Sequence, residues 1–148
     1  MARYRTSVGT PRPRAEVFAY LSDFSTTRDW DPGVVEAERL DDGPVALGTR
    51  FRVVARFLGR ETELTYAVVD ICPGELVTLR GENATVVSLD TMTFADGWTG
   101  GTVVDYEADL ALKGPLRVLD PLLALAFRRV GDRALAGLRA ALAIERRP

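Results

Sequence analysis

Apolar and polar residues alternate with a two-residue period over most of the chain and switch to a helical period only near its end. The clearest alternation runs from Thr102 to Leu110. Thr102, Val104, Tyr106, Ala108 and Leu110 fall on one side and Val103, Asp105, Glu107 and Asp109 on the other, which assigns the even positions to the core. Thr49–Phe57 reads the same way, with Phe51, Val53, Ala55 and Phe57 inward and Arg50, Arg52 and Arg56 outward. In Arg3–Val8, Tyr4, Thr6 and Val8 share a face; in Glu61–Ile71, Leu64, Tyr66 and Val68 do, opposite Glu61, Glu63 and Thr65. Val34–Leu40 and Leu76–Arg80 are shorter strands. Val86–Phe94 is a strand whose pattern does not choose a face: Ser88, Asp90, Met92 and Phe94 lie on one side, Val87, Leu89 and Thr91 on the other. Glycine, proline and aspartate clusters separate these runs, at Asp31-Pro32-Gly33, Asp41–Pro44, Gly59, Pro73-Gly74, Gly81–Asn83, Asp96–Gly101 and Lys113–Pro115.

The helical pattern occupies Pro115–Arg146. Asp120 is the expected N-cap and Pro121 sits where a missing N–H costs nothing. Leu123, Phe127, Val130, Ala134, Leu138 and Ala141 form one stripe, which Leu116 and Leu119 extend backwards; Arg128, Asp132, Arg139 and Arg146 lie opposite. Gly131 and Gly137 on the packing side invite a reason, since glycine costs ~1 kcal/mol against alanine inside a helix: close approach to the sheet, the favoured one, or room left for a ligand. Leu125 and Leu135 lie off the stripe and could seat a weak dimer. Two small helices are expected after the first strand, one opened by Pro13 and carrying Val17, Phe18 and Leu21, the other capped by Ser25 and ending near Trp30. The order of strand, two small helices, six strands and long helix describes an antiparallel α+β domain, expected to be a single unit over residues 1–148.

Composition narrows the chemistry. A net charge of −2 argues against a nucleic-acid footprint, and the arginines of the last helix read as a solvated face. The chain contains no histidine and one cysteine, Cys72. Ser–His and Cys–His nucleophiles, histidine bases, histidine-ligated metals and an intrachain disulfide are therefore excluded, and no cofactor or metal is called for. Cys72 reads as a buried structural thiol. No apolar run approaches the ~20 residues of a membrane span, and the N-terminus lacks the apolar stretch of a secretory signal, so a cytoplasmic location is expected.

Several short motifs occur in a telling order: Pro13-x-x-x-Val17-Phe18, Asp29-Trp30-Asp31-Pro32, Gly48-Thr49-x-Phe51, the Val68 to Pro73 strand end, Gly101-Thr102 and the closing amphipathic helix. Together they resemble the START-like, helix-grip superfamily, also called SRPBCC, and within it the polyketide cyclase/dehydrase and lipid-transport branch. The resemblance spans essentially the whole chain. It implies a curved antiparallel sheet of seven strands wrapped round the C-terminal helix, with a cavity between them for a hydrophobic small molecule. The metal and Rieske roles of some relatives need histidines that this chain lacks.

Alternate turns of a meander share an end, so the turns at residues 58–60 and 81–84 should lie beside Lys113-Gly114 and mark the cavity mouth. The expected lining is Phe51, Val53 and Phe57; Leu64, Tyr66 and Val68; Met92; Tyr106 and Leu110; and, from the helix, Leu119, Leu123 and Phe127. Trp30 is expected to anchor the core, and Asp29 and Asp31 fit a turn better than a metal site. Tyr66 and Tyr106 carry hydroxyls that need partners when buried. Asp90 is either exposed on the outer face or, if inward, a carboxyl with a raised pKa able to act as acid or base. These residues are the candidates for catalysis. The leading expectation is a binding protein for a lipid-like or polycyclic, polyketide-like molecule. The alternative is a polyketide cyclase/dehydratase-type enzyme in which the same three residues move a proton. A weaker alternative is a protein-interaction module using the basic side of the helix. The chain is expected to be a monomer or weak homodimer.

Overall fold

Seven antiparallel strands form one sheet in the order β1-β7-β6-β5-β4-β3-β2. They are β1 (Ala2–Thr10), β2 (Val34–Arg39), β3 (Arg50–Phe57), β4 (Arg60–Cys72), β5 (Leu76–Glu82), β6 (Val86–Asp96) and β7 (Thr102–Leu112). Helices α1 (Arg14–Ser22) and α2 (Thr27–Trp30) carry the chain from one edge strand, β1, towards the other, β2. A 3-10 helix at Gly114–Leu119 leads into α3 (Asp120–Ala143). This computed structural model describes residues 2–57, 59–97 and 100–143, with the side chains of Phe57, Arg117, Asp120, Leu123 and Ala143 left aside. The lining roles expected of Phe57 and Leu123 and the cap expected of Asp120 therefore lie outside the described residues.

The arrangement is the helix-grip fold. From β3 to β7, each strand pairs with the next through a short turn. Register shifts between Val34 and Glu36 and between Val68 and Asp70 bend the sheet, as an extra residue on one strand of a pair does. Its concave face carries Val8, Phe51, Val53, Leu64, Tyr66, Val68, Val77, Leu79, Met92, Phe94 and Val104, joined by Val17, Leu21, Phe24 and Trp30 from the short helices and by Leu138 and Leu142 of α3. β6 turns its even positions inward. Ser88, Asp90, Met92 and Phe94 are buried while Leu89 is exposed, because directly paired strand residues share a face and Asp90 pairs with Ala108, Met92 with Tyr106.

α3 lies along β1 and is fastened at its C-terminal half. The Gly137 Cα meets the Trp30 carbonyl oxygen so closely that a Cβ would collide with it, and a Cβ at Gly131 would lie 2.5 Å from the Tyr4 ring. Thr10 Oγ1 donates to the Leu142 carbonyl (2.8 Å) and the Tyr4 hydroxyl to Asp132 Oδ1 (2.9 Å). The two helix glycines thus serve close approach.

Four local expectations change. Asp23, not Ser25, caps the turn after α1: its carboxylate accepts from Ser25 N at 3.0 Å, and Phe24–Thr26 is a 3-10 turn. Leu116 and Leu119 are exposed on the 3-10 helix, whose tighter winding takes them off the α3 stripe. Leu135 packs against the core instead of facing a partner. Cys72 is exposed at the end of β4, where the preceding bulge rotates the strand, and its thiol donates to Glu75 Oε2 at 3.0 Å.

Candidate functional site

Between the concave face of the sheet and α3 lies a cavity of about 180 Å³. Its walls are mostly apolar. Val53, Ala55 and Leu64 come from β3 and β4, Ala108 and Leu110 from β7, and Phe127, Val130, Ala134, Leu135 and Leu138 from α3. Phe24, Thr27, Trp30 and Asp31 close the α2 end, and Tyr4 and Thr6 line it from β1. The β3–β4 turn at Gly59 and the β5–β6 turn, which begins only at Asn83 because residues 81 and 82 belong to β5, share an end of the sheet with Lys113; residue 58 lies outside the described residues. Asn83 Nδ2 donates to the Glu63 carbonyl (3.0 Å) and Lys113 N to that of Thr85 (2.8 Å). Lining residues near this end (Ala55, Thr62, Val86, Phe127) are only half-buried, whereas Val53, Leu64, Tyr66, Ser88 and Asp90 are buried.

One wall is polar. Tyr106 donates its hydroxyl to Asp90 Oδ2 (2.5 Å) and Ser88 donates to Asp90 Oδ1 (2.7 Å). Tyr66 lines the same wall, close enough to Asp90 to feel its charge. Ser88, Asp90 and Tyr106 form a hydrogen-bonded group on two strands, with Tyr66 beside it on a third. Each is held by its surroundings. The Tyr66 ring lies over Gly81, its direct partner on β5, where a Cβ would be 2.6 Å from the ring, and it packs edge-on against Phe24 at 5.1 Å. Tyr106 packs edge-on against Trp30 at 6.3 Å. Burial pushes the Asp90 carboxyl up to about 6, against the pull of its two hydroxyl donors and with a further push from Asp31. Tyr66 and Tyr106 are raised as well, first by burial and next by the Asp90 charge. Asp31 accepts from Gly33 N at 2.9 Å, as a turn residue does, yet it also lines the cavity, and burial raises its pKa.

Of the residues expected to line a cavity, Val53, Leu64, Tyr66, Tyr106, Leu110 and Phe127 do face it, as does Asp90. Phe51, Val68 and Met92 do not: they point inward nearer the α1 end of the sheet, where the space is filled by core side chains. Leu119 stands exposed before α3 begins. Ser88, Asp31, Tyr4, Thr6 and Leu135 line the cavity without having been expected there, and Trp30, read first as a core anchor, lines it as well. The side of β6 follows from its pairing with β7, whose inward set is plain, once the register across the glycine-rich loop is known. No local pattern marks the second role of Asp31.

The family model for "Polyketide cyclase / dehydrase and lipid transport" matches residues 1–143. No curated protein matches the sequence. Among solved structures, the chain is similar to a START superfamily protein from Mycobacterium smegmatis, with a TM-score of 0.77, 12% identity and coverage of 96% of this chain and 97% of the other. It is also similar to a protein from Thermus thermophilus, with a TM-score of 0.75, 18% identity and 95% of both chains covered. The Zhui aromatase/cyclase from Streptomyces sp. R1128 gives a TM-score of 0.74 at 14% identity, covering 95% of this chain and 90% of the other. At these identities the likeness is one of fold.

Proposed function

For a chain that belongs to the polyketide cyclase/dehydrase and lipid-transport family, we propose that the cavity between sheet and α3 binds a hydrophobic small molecule. The observation that carries this reading is a largely apolar hollow with one polar wall, the arrangement of ligand sites in which burial supplies affinity and a few polar groups set orientation. Its volume of about 180 Å³ suits one ring with a short side chain, since a cavity of about 150 Å³ takes up benzene. A larger polycyclic molecule requires α3 to stand further from the sheet. Titration calorimetry with 2-phenylethanol tests the proposal. Wild-type protein is expected to bind it, and Ala134→Phe, which fills the hollow from α3, is expected to lose binding. Equal uptake by both proteins places the ligand elsewhere.

A second reading, catalysis of ring closure and water loss, draws support from the Asp90 carboxyl. With a pKa of about 6, buried beside the cavity and hydrogen-bonded to Tyr106 and Ser88, it is suited to take a proton from a bound substrate. The enzyme reading requires turnover that Asp90→Asn abolishes while binding persists; turnover unchanged in that variant removes it.

A further inference from the structure

The polar wall is specialised in sign. Two carboxylates, Asp31 and Asp90, line the cavity, and none of its described lining residues is lysine or arginine. Asp90 is 6% exposed and each of its oxygens is hydrogen-bonded to a neutral hydroxyl, so neither is neutralised by a cation. The neighbouring charge adds to the imbalance: Asp31 acts on it with like sign from the α2 end, while Asp109 of β7 is paired with Arg3, and its tyrosine neighbours Tyr66 and Tyr106 carry no positive charge. A buried anion is ordinarily paired. Here no cation among the described residues forms an ion pair with either Asp31 or Asp90.

The remaining walls fit the same kind of occupant. Trp30, Tyr66, Tyr106 and Phe24 offer aromatic rings, and ring faces attract a desolvated cation. Trp30 is 5% exposed and lines the cavity, so its ring is presented to the occupant and not to solvent. By contrast, the hydroxyls of Tyr106 and Ser88 are already spent on Asp90, so they are not free to receive an anionic ligand. A carboxylate or phosphate ligand meets only like charge here.

We propose, resting on the binding function above, that the cavity selects a small hydrophobic amine, its ammonium group taken by Asp90 and Asp31 and its apolar body laid against Trp30, Tyr106 and Leu64. Selectivity comes from the sign of the wall. An uncharged molecule of the same shape gains the apolar burial and loses the charge-assisted hydrogen bonds.

The test compares 2-phenylethylamine with its uncharged counterpart 2-phenylethanol by titration calorimetry on the intact chain at pH 7.5. The amine is expected to bind at least about tenfold tighter, a difference of ~1.4 kcal/mol, and the preference is expected to fall below about threefold in Asp90→Asn, with Asp31→Asn as the second variant should the first not fold. Equal or weaker binding of the amine by wild-type protein overturns the proposal and leaves the binding function standing. A preference that persists undiminished in both folded variants also overturns it, since the amine is then held at the acidic surface. Binding of neither compound removes the amine proposal and the small-molecule reading together.

Discussion

The two halves of α3 are built to opposite rules. The C-terminal half is sealed: Gly137 lets the helix backbone touch the Trp30 carbonyl, Leu138 and Leu142 are buried in the main core, and Thr10 ties the Leu142 carbonyl to β1. The N-terminal half, together with the 3-10 helix before it, stands off. Val118, Leu122 and Leu125 are strongly exposed, and Phe127 and Val130 reach the cavity only as half-buried walls. A long amphipathic helix laid flat on a concave sheet would fill it. Pinned at one end by small residues and held off at the other by Phe127 over Val86, Leu110 and Leu112, the same helix leaves a hollow. The cavity is thus a consequence of where glycine and phenylalanine fall along one stripe.

The largest expected effect lies in the sealed half. Leu142 is 0% exposed, and Leu142→Ala leaves a void that the Thr10 tether hinders the helix end from closing. Loss of about 4 kcal/mol is expected, within the span seen for buried leucine truncations, measured by urea denaturation. A loss under about 1 kcal/mol would mean that the C-terminal half is no better seated than the N-terminal one.

The cost of the open half should show in the pH dependence of stability. Asp90 has its pKa raised from 3.8 to about 6, and burial moves Asp31 in the same direction. A carboxyl raised on folding holds its proton more tightly in the folded chain, so its contribution is fully present below about pH 4 and is lost as pH rises through about 6. For Asp90 the displacement corresponds to about 3 kcal/mol. Asp41, paired with Arg50, and Glu82, paired with Lys113, have lowered pKa values and act oppositely, but both side chains are more than a third exposed and screened. Wild-type protein is therefore expected to lose stability relative to Asp90→Asn between pH 4 and pH 7.5. Parallel stability curves for the two proteins would show that Asp90 is solvated in the folded chain.

The contrast between the halves also explains what the amino-acid pattern could and could not disclose. Alternation in Thr102–Leu110 and Thr49–Phe57 assigns faces because one side of each strand is uniformly apolar or β-branched, and turn residues delimit every strand. The α3 stripe and its two glycines announce a helix pressed onto a sheet. The cavity is harder to read, since a lining residue such as Leu64 and a core residue such as Met92 belong to the same inward periodicity. Which of them meets empty space depends on how far α3 is held away, a tertiary property. β6 is opaque for another reason: a strand that carries Ser88 and Asp90 towards a ligand space loses the hydrophobic contrast that would reveal its inward side. Asp31 is hidden by doing two things, closing a turn with one oxygen while lining the cavity.

The smallest effect is expected where the helix stands clear. Leu122 and Leu125 are 68% and 64% exposed, so replacing either by glutamine removes little packing. Each of Leu122→Gln and Leu125→Gln is expected to leave unfolding free energy within about 0.5 kcal/mol of wild type. A drop approaching that of Leu142→Ala would mean that these leucines are covered in solution, by the sheet or by a second copy. Repeating the urea titration at two protein concentrations separates those cases, because only an association contributes stability that grows with concentration. Stability unchanged at both concentrations would leave the hollow open at this end, with apolar side chains at its rim and two carboxylates within.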